Sequence, residues 1–143
     1  MSIRRVFSLV VLLLCLAALA ESQQRRIEYA PVKPTSPASA QEMYTAYCVV
    51  CHGKDGKGNG PAAEALRVPP PDLTALAKKN GNRYPSDRVR SAIEGDVRLP
   101  THSAKEMPSW GALFWSMSQG HSSEVQLRIS NLDKHIESMQ RNN

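Results

Sequence analysis

Cysteine is nearly absent from this chain of 143 residues, with Cys15, Cys48 and Cys51 the three encoded. Aromatic residues are scarce as well, at 6% of the sequence, so side chains alone offer little bulk with which to fill a core. Strict alternation of apolar and polar residues is sustained nowhere, which argues against a sheet protein. The longest apolar run, Val6 to Ala20, has 15 residues, short of what a bilayer span requires. There is no internal repeat. No basic stripe interleaved with aromatics occurs, so nucleic acid is excluded as an expected partner.

What is present begins with a leader. Arg4 and Arg5 precede the apolar run, which ends in Ala18-Leu19-Ala20 ahead of polar Glu21. A positive start, a short apolar middle and a small-x-small end are the three parts of a secretory signal. Residues 1–20 are therefore expected to be removed on export, and the mature chain is expected not to insert in the membrane. Leu14 puts a bulky residue before Cys15, which disfavours lipid modification there. Only a fragment of a twin-arginine pattern is present, so export in unfolded form is expected. With Arg4 and Arg5 gone, 16 Lys and Arg face 13 Asp and Glu, a mild surplus of basic charge. Cys48 and Cys51 then remain with no third thiol to pair with, free for one local task.

Residues 21–38 hold Pro31, Pro34 and Pro37 without apolar periodicity, the composition of a tether. A domain is expected over 39–140. It opens at Ser39-x-x-Glu42, a capping box for a helix running through Met43, Tyr44 and Tyr47 into the cysteines. Gly53 should stop that helix. Asp72 is a suitable N-cap for a short helix through Leu73 and Leu76. Pro85-Ser86-Asp87 opens another, carrying Val89 and Ile93 and ended by Gly95. Asp96 to Gly120 reads as a long irregular stretch. The last helix is the clearest: Val125, Ile129, Leu132, Ile136 and Met139 recur at spacings of 4, 3, 4 and 3 behind Ser123-x-x-Gln126. The fold class is all-α. Short helices, long loops and few aromatics leave a core that a large planar cofactor would complete.

Cys48-Val49-Val50-Cys51-His52 supplies that cofactor. Two thiols one helical turn apart can add across the two vinyl groups of one haem, and the following His points its imidazole at the iron. A thioredoxin-like dithiol would need a βαβ setting, and zinc would need a second ligand pair. Neither is present. The far side of the iron calls for another ligand, and thioether sulfur there favours the ferrous state. Met43 shares a helix with His52, and Met139 belongs to the apolar stripe of the last helix. Met107-Pro108 lies 55 residues beyond His52 and just before the final helix, which makes Met107 the expected ligand and Met117 its rival. His102 would give a bis-histidine centre, and His121 and His135 read as surface residues. The glycine-rich run Gly53 to Pro61 lacks the lysine spacing of a phosphate loop and the acidic ligands of a calcium loop. It is expected to let backbone approach the cofactor edge.

Three blocks together, Cys48 to Gly53, Asp55-Gly56-x-Gly58-x-Gly60-Pro61 and Met107-Pro108-x-Trp110-Gly111, resemble the class I c-type cytochromes of the bacterial mono-haem kind over roughly residues 38 to 140. The resemblance implies a cytochrome c fold, with N- and C-terminal helices packed around one covalently attached haem c. It implies His52 and Met107 as axial ligands and a hydrogen bond from His52 to the Pro61 carbonyl. Tyr84, Arg88 and Trp110 become neighbours of the haem propionates. It also implies a periplasmic, non-enzymatic electron carrier, a monomer or transient complex that meets redox partner proteins. A permanently docked subunit of a larger oxidoreductase is one alternative, and a haem-based sensor or catalyst with a labile Met ligand is another.

Overall fold

In a computed structural model the structure describes residues 32–95 and 107–140. The expected leader, residues 21–31 of the expected tether and His102 lie outside the described residues. Those that are described form helices joined by turns, with no strand among them, as an all-α chain requires. No helix among them is long and apolar enough to cross a membrane.

Helix α1 spans Ala40–Tyr47 and is capped by Ser39, whose hydroxyl accepts from Glu42 N–H. The reciprocal half of the capping box is displaced. Glu42 accepts instead from the Ser36 amide at 3.2 Å, because Ser39 N–H already bonds the Ser36 carbonyl. After a break at Cys48 the chain continues as α2, Val49–His52. A 3₁₀ turn at Leu73–Ala75, capped by the Asp72 carboxylate, leads into α3, Leu76–Lys79. Helix α4 spans Ser86–Glu94 and stops where Gly95 turns left-handed at φ 85°, a conformation that glycine adopts without Cβ strain.

Helix α5, Trp110–Met117, falls in the stretch expected to be irregular. Trp110, Leu113, Phe114 and Met117 stand at the i, i+3, i+4, i+7 positions of one helical face. Gly111, which lowers helix propensity, has a packing reason: a Cβ there would stand 2.6 Å from the Glu94 carbonyl. Helix α6, Ser122–Ser138, begins one residue before the expected cap, with His121 in the cap position and no side-chain bond closing it. The Ser123-x-x-Gln126 box therefore does not form, and Gln126 instead bonds Arg90 and Glu94 of α4.

Helix α6 is the spine against which α1, α4 and α5 all pack. Its expected stripe is buried from Val125 to Ile136, with Ile129 at 0% and Leu132 at 1% exposure, while Met139 stands in the C-cap position and is only partly buried. Each fully buried side chain contributes about 1.5–3 kcal/mol of burial free energy. Met43, Tyr44 and Phe114 meet it from α1 and α5. The N-terminal and C-terminal helices thus touch directly, and the space between them, α3 and α4 is left to the site.

Part of the expected tether is bound to this body. The Tyr47 hydroxyl donates to the Lys33 carbonyl, Arg128 to Thr35 Oγ1, and Asn131 to the Pro37 carbonyl. Residues 33–37 carry no apolar period, yet polar side chains of α1 and α6 hold them.

Candidate haem site

The break between α1 and α2 puts Cys48 at a cap and Cys51 and His52 on the short helix that follows. The two thiols and the imidazole consequently face one cavity of about 350 Å³, on whose wall Met107 also stands. Four residues from two distant parts of the sequence are thereby brought to one space. Leu73, Val89, Ile93, Leu132 and Ile136 give it an apolar wall. Tyr47 and Trp110 form another part, their rings stacked with centroids 4.9 Å apart and planes 28° apart. Lys79, Asn80 and Arg88, all exposed, stand at its rim.

Burial pushes the Cys48 thiol up to about 12, with the neighbouring Cys51 adding to the rise. Burial raises the Cys51 thiol as well. Both shifts run opposite to the lowered value that the attacking thiol of a thiol–disulfide catalyst requires. No cluster of three or more His, Cys, Asp or Glu able to hold a metal ion occurs among the described residues.

The donor set fits haem. Two thiols stand at C-x-x-C spacing, an imidazole and a thioether share the same cavity, the wall is largely apolar, and two cations, Lys79 and Arg88, stand at the rim, where they could pair with a bound group's carboxylates. This combination defines a class of protein, one that holds haem by covalent attachment. The chain belongs to the cytochrome c family, whose model matches residues 37–120. Haem c, covalently bound, is accordingly its cofactor, and electron transfer its general function. Comparison with curated proteins and with solved structures finds no match.

The remaining expected residues separate. Met117 ends α5 with its sulfur 4.0 Å from the Tyr47 hydroxyl, and Met43 is buried beside Arg128. Neither lines the cavity. Arg88 and Trp110 do line it, whereas Tyr84 turns away and bonds Asp133. His121 is exposed as expected, but His135 is half-buried against the Tyr44 ring, with centroids 5.0 Å apart. Its place beside the Ile136 stripe draws it into the contact between α1 and α6. None of Gly53 to Gly60 lines the cavity. A Cβ on Gly60 would lie 2.5 Å from the Val49 and Val50 carbonyls, so the loop's close approach is to the backbone of α2. Pro61, exposed and off the cavity wall, is held beside α2 by the bonds of Gly60 N–H to Cys51 and Ala62 N–H to Val50. Lys79 and Asn80 were not foreseen. Their signal was position alone, at the C-terminus of the helix that Asp72 opens.

Proposed function

We propose that the chain is a single-haem electron carrier, with haem thioether-linked at Cys48 and Cys51 and held axially by His52 and Met107. The observation that carries this reading is the presence of all four side chains on one apolar cavity. Bound haem supplies a one-electron ferrous–ferric couple. The protein's part would be to hold the His52 and Met107 donors in place in both oxidation states, so that little reorganises on transfer, and to keep water off the bound group with the aliphatic wall. Thioether sulfur favours the ferrous form and raises the potential relative to a second imidazole. The Pro61 carbonyl, beside the end of α2, is the proposed acceptor for His52 Nδ1, a bond that fixes the ring and raises its basicity.

The carrier acts after export to the periplasm and cleavage behind Ala20, without enzymatic turnover of its own. Its contacts with redox partners are brief and favoured by its basic surplus. Absorbance of the purified protein in both redox states tests the reading. One low-spin haem per chain with sulfur ligation is expected. Rapid binding of carbon monoxide to the reduced form at neutral pH would sink it and favour a sensor or catalyst. Isolation only as a stable heteromer would favour a docked subunit. Mass analysis of the exported protein should find a chain beginning at Glu21.

A further inference from the structure

We propose that residues 33–37 form a clamp governing how firmly Met107 is retained on the cavity, with Tyr47 and Thr35 as the positioning residues through which the clamp acts. This rests on the reading of Met107 as axial ligand. Tyr47 has two roles on one side chain. Its ring, 6% exposed, lines the cavity and stacks on Trp110. Its hydroxyl points the other way, donating to the Lys33 carbonyl at 2.7 Å and lying 2.8 Å from Thr35 Oγ1.

Arg128 Nη1 donates to Thr35 Oγ1 at 3.2 Å. With the Tyr47 proton on the Lys33 carbonyl, the Thr35 hydroxyl is the donor to the Tyr47 oxygen. The sequence Arg128 to Thr35 to Tyr47 to the Lys33 carbonyl is therefore headed by a cation, and each bond polarises the next. Arg128 is itself held. It is 4% exposed, pairs with Glu124 at 2.9 Å and lies over the Phe114 ring at 5.7 Å. Phe114 in turn contacts both Tyr47 and Trp110, at 5.9 Å in each case. Asn131 anchors the far end of the clamp through the Pro37 carbonyl at 2.9 Å.

The mechanical consequence follows from the order of residues. Trp110 opens α5 three positions after Met107, and both share the cavity wall with Tyr47. Fixing the Tyr47 ring fixes the surface on which Trp110 rests, and through it the point from which the Met107 segment departs. The segment leading in from the N-terminus thus biases how Met107 is presented to the cavity without itself lining it.

The test uses the full haem-bearing protein and imidazole as an exogenous ligand, titrated into the ferric form by absorbance. Imidazole competes with Met107 for iron, so its apparent affinity reports how often the position opens. Thr35→Ala removes the middle of the chain away from the cavity, and should tighten imidazole binding by about fivefold, the effect of one hydrogen bond. Tyr47→Phe keeps the stacked ring and should act in the same direction, while Thr35→Ser should restore the wild-type value. Unchanged imidazole affinity in both Thr35→Ala and Tyr47→Phe, even with a lowered melting temperature, would overturn the proposal and leave the clamp a structural feature only. A wild-type ferric spectrum without a sulfur-to-iron charge-transfer band would instead overturn the Met107 reading, and the clamp proposal with it.

Discussion

Tyr84 and Asp133 are joined across the molecule, the phenol hydroxyl lying 2.9 Å from the Asp133 carboxylate and 3.0 Å from its backbone carbonyl. Ser86 takes the other carboxylate oxygen at 2.5 Å. Asp133, 5% exposed, thus places a carboxylate of α6 at the N-terminus of α4, where the helix dipole favours it. Burial and the bond to Asp133 push the Tyr84 phenol upward, so its neutral form is kept throughout the ordinary pH range. Tyr84→Phe leaves a buried carboxylate with one donor fewer and should cost about 1–2 kcal/mol in urea unfolding. Because the hydroxyl is engaged here and not on the cavity, the reduction potential should stay at the wild-type value. A shift in potential would return Tyr84 to the propionates.

His135 supplies a pH dependence. Its Nε2 is buried and makes no hydrogen bond, and burial holds the ring below the usual histidine value of 6.5. A lowered folded-state value means that the unfolded chain takes up the proton first as pH falls. The contribution of neutral His135 is therefore complete above about pH 6.5 and declines below it. Urea midpoints at pH 7.5 and pH 5 should differ more in the wild type than in His135→Phe. Equal differences in the two would show that this ring does not titrate on unfolding.

The glycine-rich loop is best tested at Gly60. A Cβ there would meet the Val49 and Val50 carbonyls at 2.5 Å, and backbone atoms cannot swing aside as a side chain can. Gly60→Ala should therefore displace α2, with Cys51 and His52 on it, and cost about 1–3 kcal/mol. Gly81→Ala is the control. It has a left-handed φ of 64° but nothing within 4 Å of the added atom, so only backbone strain of about 1–2 kcal/mol is expected. Haem content and urea midpoint, measured together, should fall for Gly60→Ala and leave haem content unchanged for Gly81→Ala.

The parts of the fold legible in the sequence are those in which one helix carries its own signal. Ser39, Asp72 and Gly95 mark helix ends through local bonds and dihedral angles, and the spacing from Val125 to Ile136 writes the buried face of α6 directly. Helix α5 carried the same periodicity at Trp110, Leu113, Phe114 and Met117. Over the whole span from Asp96 to Gly120 periodic apolar residues are few, which read as irregular, and the reason for Gly111, its approach to Glu94, is a contact between helices that no local pattern contains. Residues 33–37 illustrate the same limit, since their order is imposed by Tyr47, Arg128 and Asn131. His135 was misread because one residue beside a buried stripe can lie on either side of its border. At the site, chemistry was more legible than geometry. The attachment motif announces its cofactor by residue type alone, whereas the turning of Tyr84 away from the cavity depends on where Asp133 falls in three dimensions.

Attachment can be tested without reference to redox behaviour. Replacing Cys48 and Cys51 together by Ser keeps the side-chain volume but removes both bonds to the macrocycle. With a cavity of about 350 Å³ between α1, α3, α4 and α6, the chain has too few large side chains to close the space. The expected product carries no haem that survives acid extraction, and its circular dichroism shows reduced helix. A colourless variant retaining wild-type helicity would show that the helices close on themselves and that haem is not part of the core.

The axial assignment separates most cleanly by comparing two methionines. Met107 stands on the cavity wall with the cysteines and His52, while the Met117 sulfur faces the Tyr47 hydroxyl at the end of α5. Met107→His exchanges a soft thioether for imidazole, which stabilises the ferric state relative to the ferrous one. Its reduction potential should drop by on the order of a few tenths of a volt, within the span that axial ligands control. Met117→Leu conserves volume and should leave the potential and the spectrum as they are, with a stability change below about 1.5 kcal/mol. Potentiometric titration of both variants decides the matter. If Met117→Leu alone loses the sulfur-to-iron band and lowers the potential, the ligand is Met117, and the segment from Trp110 onward must cross the cavity in a different register.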